Sequence, residues 1–226
     1  KSKLGLYGDF VMEVDSTVEM VMQTLKRAGL DKNTVVIFSS DQGPAPYAGN
    51  IRKATPAQIK LLEAKGHYPS GPYRGYKFSV YEGGLHVPMV AWWPGVIRSG
   101  SSCDALVGLN DLMATVAELA DVKVGSGEAP DSVSFAKYFR DPQAKSIRKD
   151  LVMQSVWPFA VLDGDWKLCL CPGSGTPAKD TARNTAGNDP MPEDAWRAAL
   201  DQFPRKPGMA DLLKAPFVQL FDLASD

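Results

Sequence analysis

Apolar residues near the start of the chain predict a helix followed by a buried strand. Between Asp9 and Leu30 they recur at steps of three and four, which is one face of an amphipathic helix that ends near Gly29. The β-branched run Val35-Val-Ile-Phe38 comes next without polar alternation, as in a strand covered on both faces. A helix, a short turn and a buried strand in this order predict a mostly parallel α/β sheet.

The middle of the chain alternates between loops and short elements. Thr55-Pro-Ala-Gln58 has the form of a capping box and opens a helix to about Lys65. Glycine and proline make the stretch from Gly66 to Gly84 mostly loop. Val87 to Trp92 is a second predicted strand, and the apolar spacing from Leu112 to Leu119 predicts a further helix.

After about Asp150 the pattern becomes that of a small antiparallel sheet. The apolar runs Phe159–Leu162 and Trp166–Leu170 flank Asp163-Gly-Asp165, a turn sequence typical of a hairpin. Leu151–Trp157 and Val218–Leu223 supply two more predicted strands, while 172–190 is a predicted loop and 192–200 a short helix. The chain therefore divides into a predicted α/β portion, residues 1–149, and a predicted sheet-plus-helix subdomain, residues 150–226.

Charge and hydropathy exclude several classes of partner. The 226 residues include 25 Lys+Arg and 26 Asp+Glu, so the formal net charge is −1. This balance argues against a nucleic-acid backbone or an anionic membrane surface as partner, and no apolar run reaches the ~20 residues of a membrane span. Patterned structure begins and ends close to both termini, so we expect a piece of a longer protein.

The three cysteines are Cys103, Cys169 and Cys171, an odd number at irregular spacing that is no disulfide framework. Cys169 and Cys171 lie two apart on a predicted strand and so share one face. A metal pair is one interpretation, but no second Cys or His pair completes four ligands. Buried small apolar residues are the favoured interpretation.

Polar residues follow the first predicted strand directly. Ser39-Ser-Asp-Gln-Gly-Pro44 begins where that strand ends, and open α/β sheets bind ligands at the carboxyl ends of their strands. Asp41 and Gln42 offer a carboxylate and an amide oxygen, the donors that hard divalent cations prefer, although two donors are too few for a complete site. The alternative is a plain Asx turn before Gly43-Pro44.

Two cations lie close together in Tyr73-Arg-Gly-Tyr-Lys77. Arg74 as a planar fork and Lys77 as a point charge could together hold a tetrahedral oxyanion; a solvated surface lysine is the alternative. The two histidines are His67 and His86. Neither neighbours a motif that would orient it as the base of a catalytic triad, and for His86 we expect a hydrogen-bonded structural role.

Several blocks of sequence stand in a recognisable order. They are Tyr7–Asp15, Val36–Pro44, Gly66–Lys77, Glu82–Gly84, Val87–Gly95, Asp111–Thr115, Phe159–Leu168 and Gln219–Leu223. In content and order they resemble the type I sulfatases, the arylsulfatase family. Each block alone is moderately specific, but the series covers most of the chain and is strong.

The resemblance implies a role for individual residues. Asp41 matches a metal-ligand aspartate of the family, and Gln42 stands where an asparagine ligand is usual, so the implied ion is calcium or, alternatively, magnesium. Lys77 matches a lysine that contacts the sulfate and is the implied catalytic residue. His67 is similar to a histidine that lies near the substrate in some bacterial members, and Arg74 remains a candidate substrate-binding residue as the second cation beside Lys77. His86 stands where arginine is common and has no assigned role.

The family's nucleophile is a formylglycine made from the Cys or Ser of a Cys/Ser-x-Pro-x-Arg motif. Ser70-Gly-Pro-Tyr-Arg74 matches those letters. It lies downstream of Asp41 rather than upstream, and runs into Gly-Tyr-Lys rather than Leu-Thr-Gly-Arg, so we interpret it as a chance match. The formylglycine and the other metal ligands are therefore expected in an upstream part of the protein, and these residues alone are expected to be inactive.

The resemblance implies the alkaline-phosphatase-like α/β fold, a mixed sheet flanked by helices, with a small C-terminal antiparallel β subdomain. It implies metal-assisted hydrolysis of a sulfate ester, with a small molecule or glycan as substrate and the remainder of the sulfatase chain as partner. The alternatives are a phosphodiesterase or phosphonate hydrolase of the same superfamily, and a catalytically inactive module that binds a sulfated glycan. A periplasmic or secreted location is compatible with this family, but the sequence assigns no compartment.

Overall fold

The computed structural model describes residues 2–45, 62–125, 127–155, 159–171 and 216–225. The predicted helix opening at Thr55 lies mostly outside these ranges, and the elements predicted for residues 172–200 lie entirely outside them. By its internal contacts the chain forms two compact units. The first unit contains residues 1–21, 39–88 and 152–226, and the second contains residues 22–38 and 89–151. The predicted boundary near residue 150 stays a prediction.

Helix α1 spans Gly5–Arg27. It begins four residues before the predicted start at Asp9, and just ahead of it the Leu4 N–H donates to the Ser2 hydroxyl at 2.9 Å. It ends as predicted, with Lys26 and Arg27 in the last turn, where cations complement the helix dipole. Of its side chains, Phe10 is 66% exposed and Met20 61% exposed in the described structure.

The first unit is built around an antiparallel sheet with the strand order β3-β4-β5-β6. The strands are β3 (Asp150–Gln154), β4 (Phe159–Asp163), β5 (Trp166–Leu170) and β6 (Val218–Asp222). The predicted hairpin is confirmed: Asp163 pairs with Trp166, and Gly164 has φ 59°, a left-handed conformation that favours glycine. The predicted subdomain sheet is therefore present.

One face of this sheet supplies the core of the first unit. Strand alternation directs Ala160 and Cys169 to that face, and Cys171 follows on the same side. These three residues are fully buried against Val80 and Tyr81. The interpretation of Cys169 and Cys171 as buried core residues is thus confirmed, whereas Cys103 is exposed.

The second unit packs around an aromatic cluster. Phe135 and Phe139 are buried in it with ring centroids 5.7 Å apart and edge to face, and Trp93 meets Phe139 edge to face at 6.4 Å. Strand β1 (Val36–Ser39) pairs with β2 (Met89–Trp92), so both predicted strands are present within a residue or two.

The short helix α2 spans Glu82–Leu85. Helix α3 (Leu112–Leu119) confirms the helix predicted from apolar spacing, and the fully buried Asp111 precedes it. Asp111 accepts hydrogen bonds from the backbone N–H groups of Gly108 and Val133, both at 2.8 Å, and pairs with Arg148. Three separate segments are therefore held by one carboxylate.

None of the helices in the described ranges has the length and apolar character needed to cross a membrane.

Candidate active site

The loop after β1 presents Asp41 to solvent. Ser39 donates through its hydroxyl to the Pro88 carbonyl at 2.9 Å, and the Ser40 hydroxyl donates to the Gln42 carbonyl at 2.8 Å. These local bonds fold the loop tightly and leave the Asp41 side chain 75% exposed. The carboxylate is thus held at the end of a strand, where the sequence places it, and is open to a ligand.

The Lys77 ammonium contacts the Asp41 carboxylate. The Lys77 side chain is only 19% exposed, so its stem is enclosed while its charged end reaches Asp41. The hydrogen bond from Lys77 outweighs the effect of burial and lowers the pKa of Asp41. Two residues that the sequence singles out for different reasons therefore form one ion pair.

Gln42 links the loop after β1 to the segment that carries Lys77. Its amide oxygen accepts the Phe78 N–H at 3.2 Å, and its amide nitrogen donates to the Ser155 hydroxyl at 3.4 Å. The neighbouring Lys77 N–H donates to the Pro44 carbonyl at 3.0 Å. Phe78 has φ 77°, a strained conformation for a residue with a Cβ, and these bonds hold it there. The backbone at Lys77 is therefore fixed from two sides.

The backbones of three glycines, Gly43, Gly83 and Gly84, pack closely together beside the loop that carries Asp41. The Gly43 N–H donates to the Gly84 carbonyl at 2.8 Å, and a Cβ at Gly43 would lie 1.8 Å from the Gly83 carbonyl oxygen. Gly83 and Gly84 belong to the short helix α2 (Glu82–Leu85). The sequence pattern assigns this stretch to loop because two adjacent glycines disfavour a helix. Close backbone approach explains why glycine stands at these positions.

Arg74 and His67 have separate partners in the first unit. The Arg74 guanidinium lies over the Tyr81 ring at 4.3 Å from the centroid, a cation–π contact. His67 has its ring 5.7 Å from that of Tyr7, and its Nε2 atom is buried with no hydrogen-bond partner among the described residues. Burial also raises the pKa of Tyr7. The structure thus brings Asp41, Gln42 and Lys77 together, whereas Arg74 lies against Tyr81 and His67 lies near Tyr7.

The chance-match motif also has a structural explanation. The Ser70 hydroxyl donates to the Gly75 carbonyl at 2.8 Å, which closes the turn through the Ser-Gly-Pro-Tyr-Arg sequence. This hydroxyl therefore supports the local loop structure, and the interpretation of the motif as a chance match stays a prediction.

A buried ionic network next to α2 is not evident from sequence motifs. Lys167 on β5 is 1% exposed and pairs with Glu82, whose other carboxylate oxygen lies 2.9 Å from Nδ1 of His86. Burial raises the pKa of Glu82, but the His86 hydrogen bond and the Lys167 charge outweigh it and lower the pKa to about 2. The expected hydrogen-bonded role of His86 is present, and its ring also stacks on Tyr73 with centroids 4.5 Å apart.

Strand alternation could have revealed Lys167. In Trp166-Lys-Leu-Cys-Leu170 the lysine shares a face with Cys169. A lysine on the core face of a strand requires an anionic partner. The sequence does not show which carboxylate supplies it, because Glu82 lies 85 positions away.

The buried cysteines belong to the core of the first unit. Burial raises the pKa of Cys169 to about 11 and also raises that of Cys171, which favours the neutral thiol over the thiolate form that binds metals. No cluster of three or more His, Cys, Asp or Glu side chains that could hold an ion occurs among the described residues. Asp41 and Gln42 therefore supply at most part of a metal site.

Comparison with known proteins gives the family to which this fold and site belong. A sequence model of the sulfatase family matches residues 1–122, which contain Asp41, Gln42, His67, Arg74 and Lys77. The chain belongs to the sulfatase family. It has the alkaline-phosphatase-like α/β fold, in which the four-stranded antiparallel sheet forms the small C-terminal part.

Individual relatives agree with this assignment. The chain is 31% identical over 194 residues to an N-acetylgalactosamine-6-O-sulfatase of Bacteroides thetaiotaomicron, covering 85% of this chain and 36% of that protein. It is 34% identical over 123 residues to human steryl-sulfatase, covering 53% of this chain and 19% of that protein. The chain thus spans about a third or less of the length of these relatives.

A solved protein connected with the metabolism of multiple glycosaminoglycans in Bacteroides thetaiotaomicron superimposes with a TM-score of 0.71. That match has 28% identity and covers 99% of this chain and 39% of that one. A sulfatase from Pseudoalteromonas has the same fold, with a TM-score of 0.64, 23% identity and coverage of 96% of this chain and 36% of that one.

Proposed function

We propose that the full-length protein hydrolyses a sulfate ester and that this chain contributes the sulfate contact, Lys77, and part of a metal site, Asp41 and Gln42. The observation that carries the proposal is the contact between the Lys77 ammonium and the exposed Asp41 carboxylate within the region that matches the sulfatase family. An anion-binding and a cation-binding group side by side suit a metal-bound oxyanion.

The oxygen donors fit part of a calcium site, with magnesium as the alternative. Asp41 shares one carboxylate oxygen with Lys77, and Gln42 shares its amide oxygen with the Phe78 N–H. A carboxylate has about four lone-pair sites and an amide oxygen has two, so both retain capacity for a cation. A divalent cation bound here would lower the pKa of the attacking hydroxyl and gather sulfate oxygens. Its other ligands and the formylglycine nucleophile are proposed to lie outside these residues.

Lys77 is the proposed catalytic residue of this chain. Its ammonium would neutralise charge that develops on the sulfate and leaving-group oxygens as the ester bond breaks. The enclosed stem and the two backbone hydrogen bonds around it preorganise that charge, so it need not reorient during the reaction. Because the described residues hold no credible nucleophile, the isolated chain is proposed to be inactive.

His67 and Arg74 are the proposed additional substrate-binding residues. A buried imidazole nitrogen without a protein partner among the described residues is costly unless a ligand or water satisfies it. A substrate oxygen can serve as that partner. Arg74 would approach the sulfate by leaving or extending its contact with Tyr81, and its planar fork suits a tetrahedral anion.

The proposed substrate class is a sulfated sugar rather than a sulfated sterol. The relative that covers 85% of this chain is named for a sulfated N-acetylgalactosamine, whereas the steryl-sulfatase match covers 53%. Sulfate and phosphate esters are both tetrahedral oxyanions, so the test must also include a phosphodiester and a phosphonate.

The experiment uses the full-length protein, its Asp41→Ala variant and the isolated 226-residue chain. We expect the full-length protein to release sulfate from sulfated N-acetylgalactosamine faster than it cleaves a phosphodiester or phosphonate, and Asp41→Ala to lose bound calcium and activity together. The isolated chain should show no turnover. Full metal occupancy in Asp41→Ala would remove Asp41 from the site, and preferred phosphodiester cleavage would reassign the reaction.

A further inference from the structure

The ion pair between Glu82 and Lys167 joins the β sheet to the candidate active site. Lys167 projects from β5 into the core face and is 1% exposed. Its ammonium binds one carboxylate oxygen of Glu82, the first residue of α2. A buried lysine is strongly destabilising unless its partner is held in place, so the pair fixes the start of α2 relative to β5.

Helix α2 packs closely against the backbone of the segment 74–79. The Gly83 N–H donates to the Arg74 carbonyl at 2.7 Å. A Cβ at Gly83 would lie 2.2 Å from the Gly75 carbonyl oxygen, and one at Gly84 would lie 2.2 Å from that of Ser79. Backbone contacts this close transmit a displacement instead of absorbing it, because no flexible side chain lies between them.

The same helix contacts the loop that carries Asp41. The Gly84 carbonyl accepts the Gly43 N–H at 2.8 Å, two residues after Asp41. The Lys77 N–H in turn donates to the Pro44 carbonyl at 3.0 Å. A continuous series of contacts therefore runs from Lys167 through Glu82, Gly84 and Gly43 to the Asp41–Lys77 pair.

We propose that Lys167 is a positioning residue of the active site. Acting through Glu82 and the contact between Gly84 and Gly43, it sets the position of the Asp41 carboxylate relative to the Lys77 ammonium. This inference rests on the proposed function, because it assumes that Asp41 and Lys77 bind the metal and the sulfate. The ammonium of Lys167 pairs with Glu82 and not with Asp41 or Lys77.

The test measures kcat, KM, the calcium dissociation constant and Tm in the full-length protein for Lys167→Met, Glu82→Gln and the double variant. Supporting residues around metal sites typically contribute 10–100-fold to affinity or activity. We therefore expect kcat/KM to fall about tenfold or more and calcium to bind about tenfold more weakly. The double variant should fall no further than Lys167→Met alone, because the two residues act as one unit.

The double variant also separates a positioning effect from loss of folding. It leaves no unpaired buried charge, and its side chains keep similar volumes, so we expect it to fold. Cys169→Ala is the matched control: it shortens a side chain on the same face of β5 and leaves the ion pair intact. It should lower Tm without changing kcat/KM or calcium affinity at temperatures well below Tm. The Lys167 variants should change all three.

The outcomes separate the two proposals. If Lys167→Met and the double variant lower Tm but stay within twofold of wild type in kcat/KM and calcium affinity, the pair only stabilises the fold and the positioning role is wrong. Wild type would then still be a sulfatase. If the wild-type protein neither binds calcium nor hydrolyses a sulfate ester, the proposed function fails and the role of Lys167 fails with it.

Discussion

Replacing Lys77 by alanine should separate activity from stability in the full-length protein. The lost ion pair is weak as a stabilising interaction, because the Asp41 side chain is 75% exposed and water screens it. Exposed pairs contribute about 0.2–1 kcal/mol, and the lost packing of the enclosed stem adds about 1 kcal/mol. The free energy of unfolding should therefore fall by only about 1–2 kcal/mol.

The effect on catalysis should be larger. A preorganised charge beside the reacting sulfate acts mainly on the transition state, and its loss should lower kcat/KM by about 100-fold or more. A 100-fold loss corresponds to about 2.7 kcal/mol of transition-state stabilisation. Lys77→Arg should recover only part of it, since a planar fork cannot take the place of a compact ammonium.

The assay is steady-state hydrolysis of a sulfate ester at equal metal content, with unfolding curves for each variant. Lys123→Ala, which removes an exposed lysine in the second unit, is the matched control and should change neither quantity. If Lys77→Ala hydrolyses the substrate within a factor of two of wild type, Lys77 has no catalytic role and the assignment of the Arg-Gly-Tyr-Lys sequence is wrong.

Three further predictions follow from packing and charge. Asp111→Ala removes the partner of Arg148 and the acceptor of two backbone N–H groups, and should lower the free energy of unfolding by about 3–5 kcal/mol in denaturant titrations. Arg148 and the backbone donors overcome burial and lower the pKa of Asp111 in the folded state. Its stabilising contribution is therefore present above the unfolded value of about 4 and is lost as the pH falls below it, so the variant's stability should depend less on pH in that range. Gly43→Ala places a Cβ against the Gly83 carbonyl and should cost about 1–3 kcal/mol together with activity; a wild-type Tm would contradict the close approach. A thiol reagent should label Cys103 in the native protein and leave the two buried strand thiols unlabelled until unfolding, as counted by mass spectrometry.

The elements that the sequence predicts well are those whose residues lie close together in the chain. Apolar spacing identifies α1 and α3, and Asp163-Gly-Asp165 predicts the hairpin of β4 and β5. Each depends on the period of the backbone or on the conformation of a turn, which neighbouring residues determine. The location of Asp41 after β1 is predicted for the same reason. The sequence does not predict the short helix α2, because its glycines have low helix propensity and only tertiary contacts stabilise it.

The sequence by itself therefore determined the local elements, the family resemblance and the identity of the candidate site residues. Only the tertiary structure decided which polar side chains meet. Lys77 pairs with Asp41 across 36 positions, Lys167 with Glu82 across 85, and Gln42 with Ser155 across 113. Local periodicity can place a lysine on a buried face, but its partner is selected only when distant segments close against each other and leave one anion within reach.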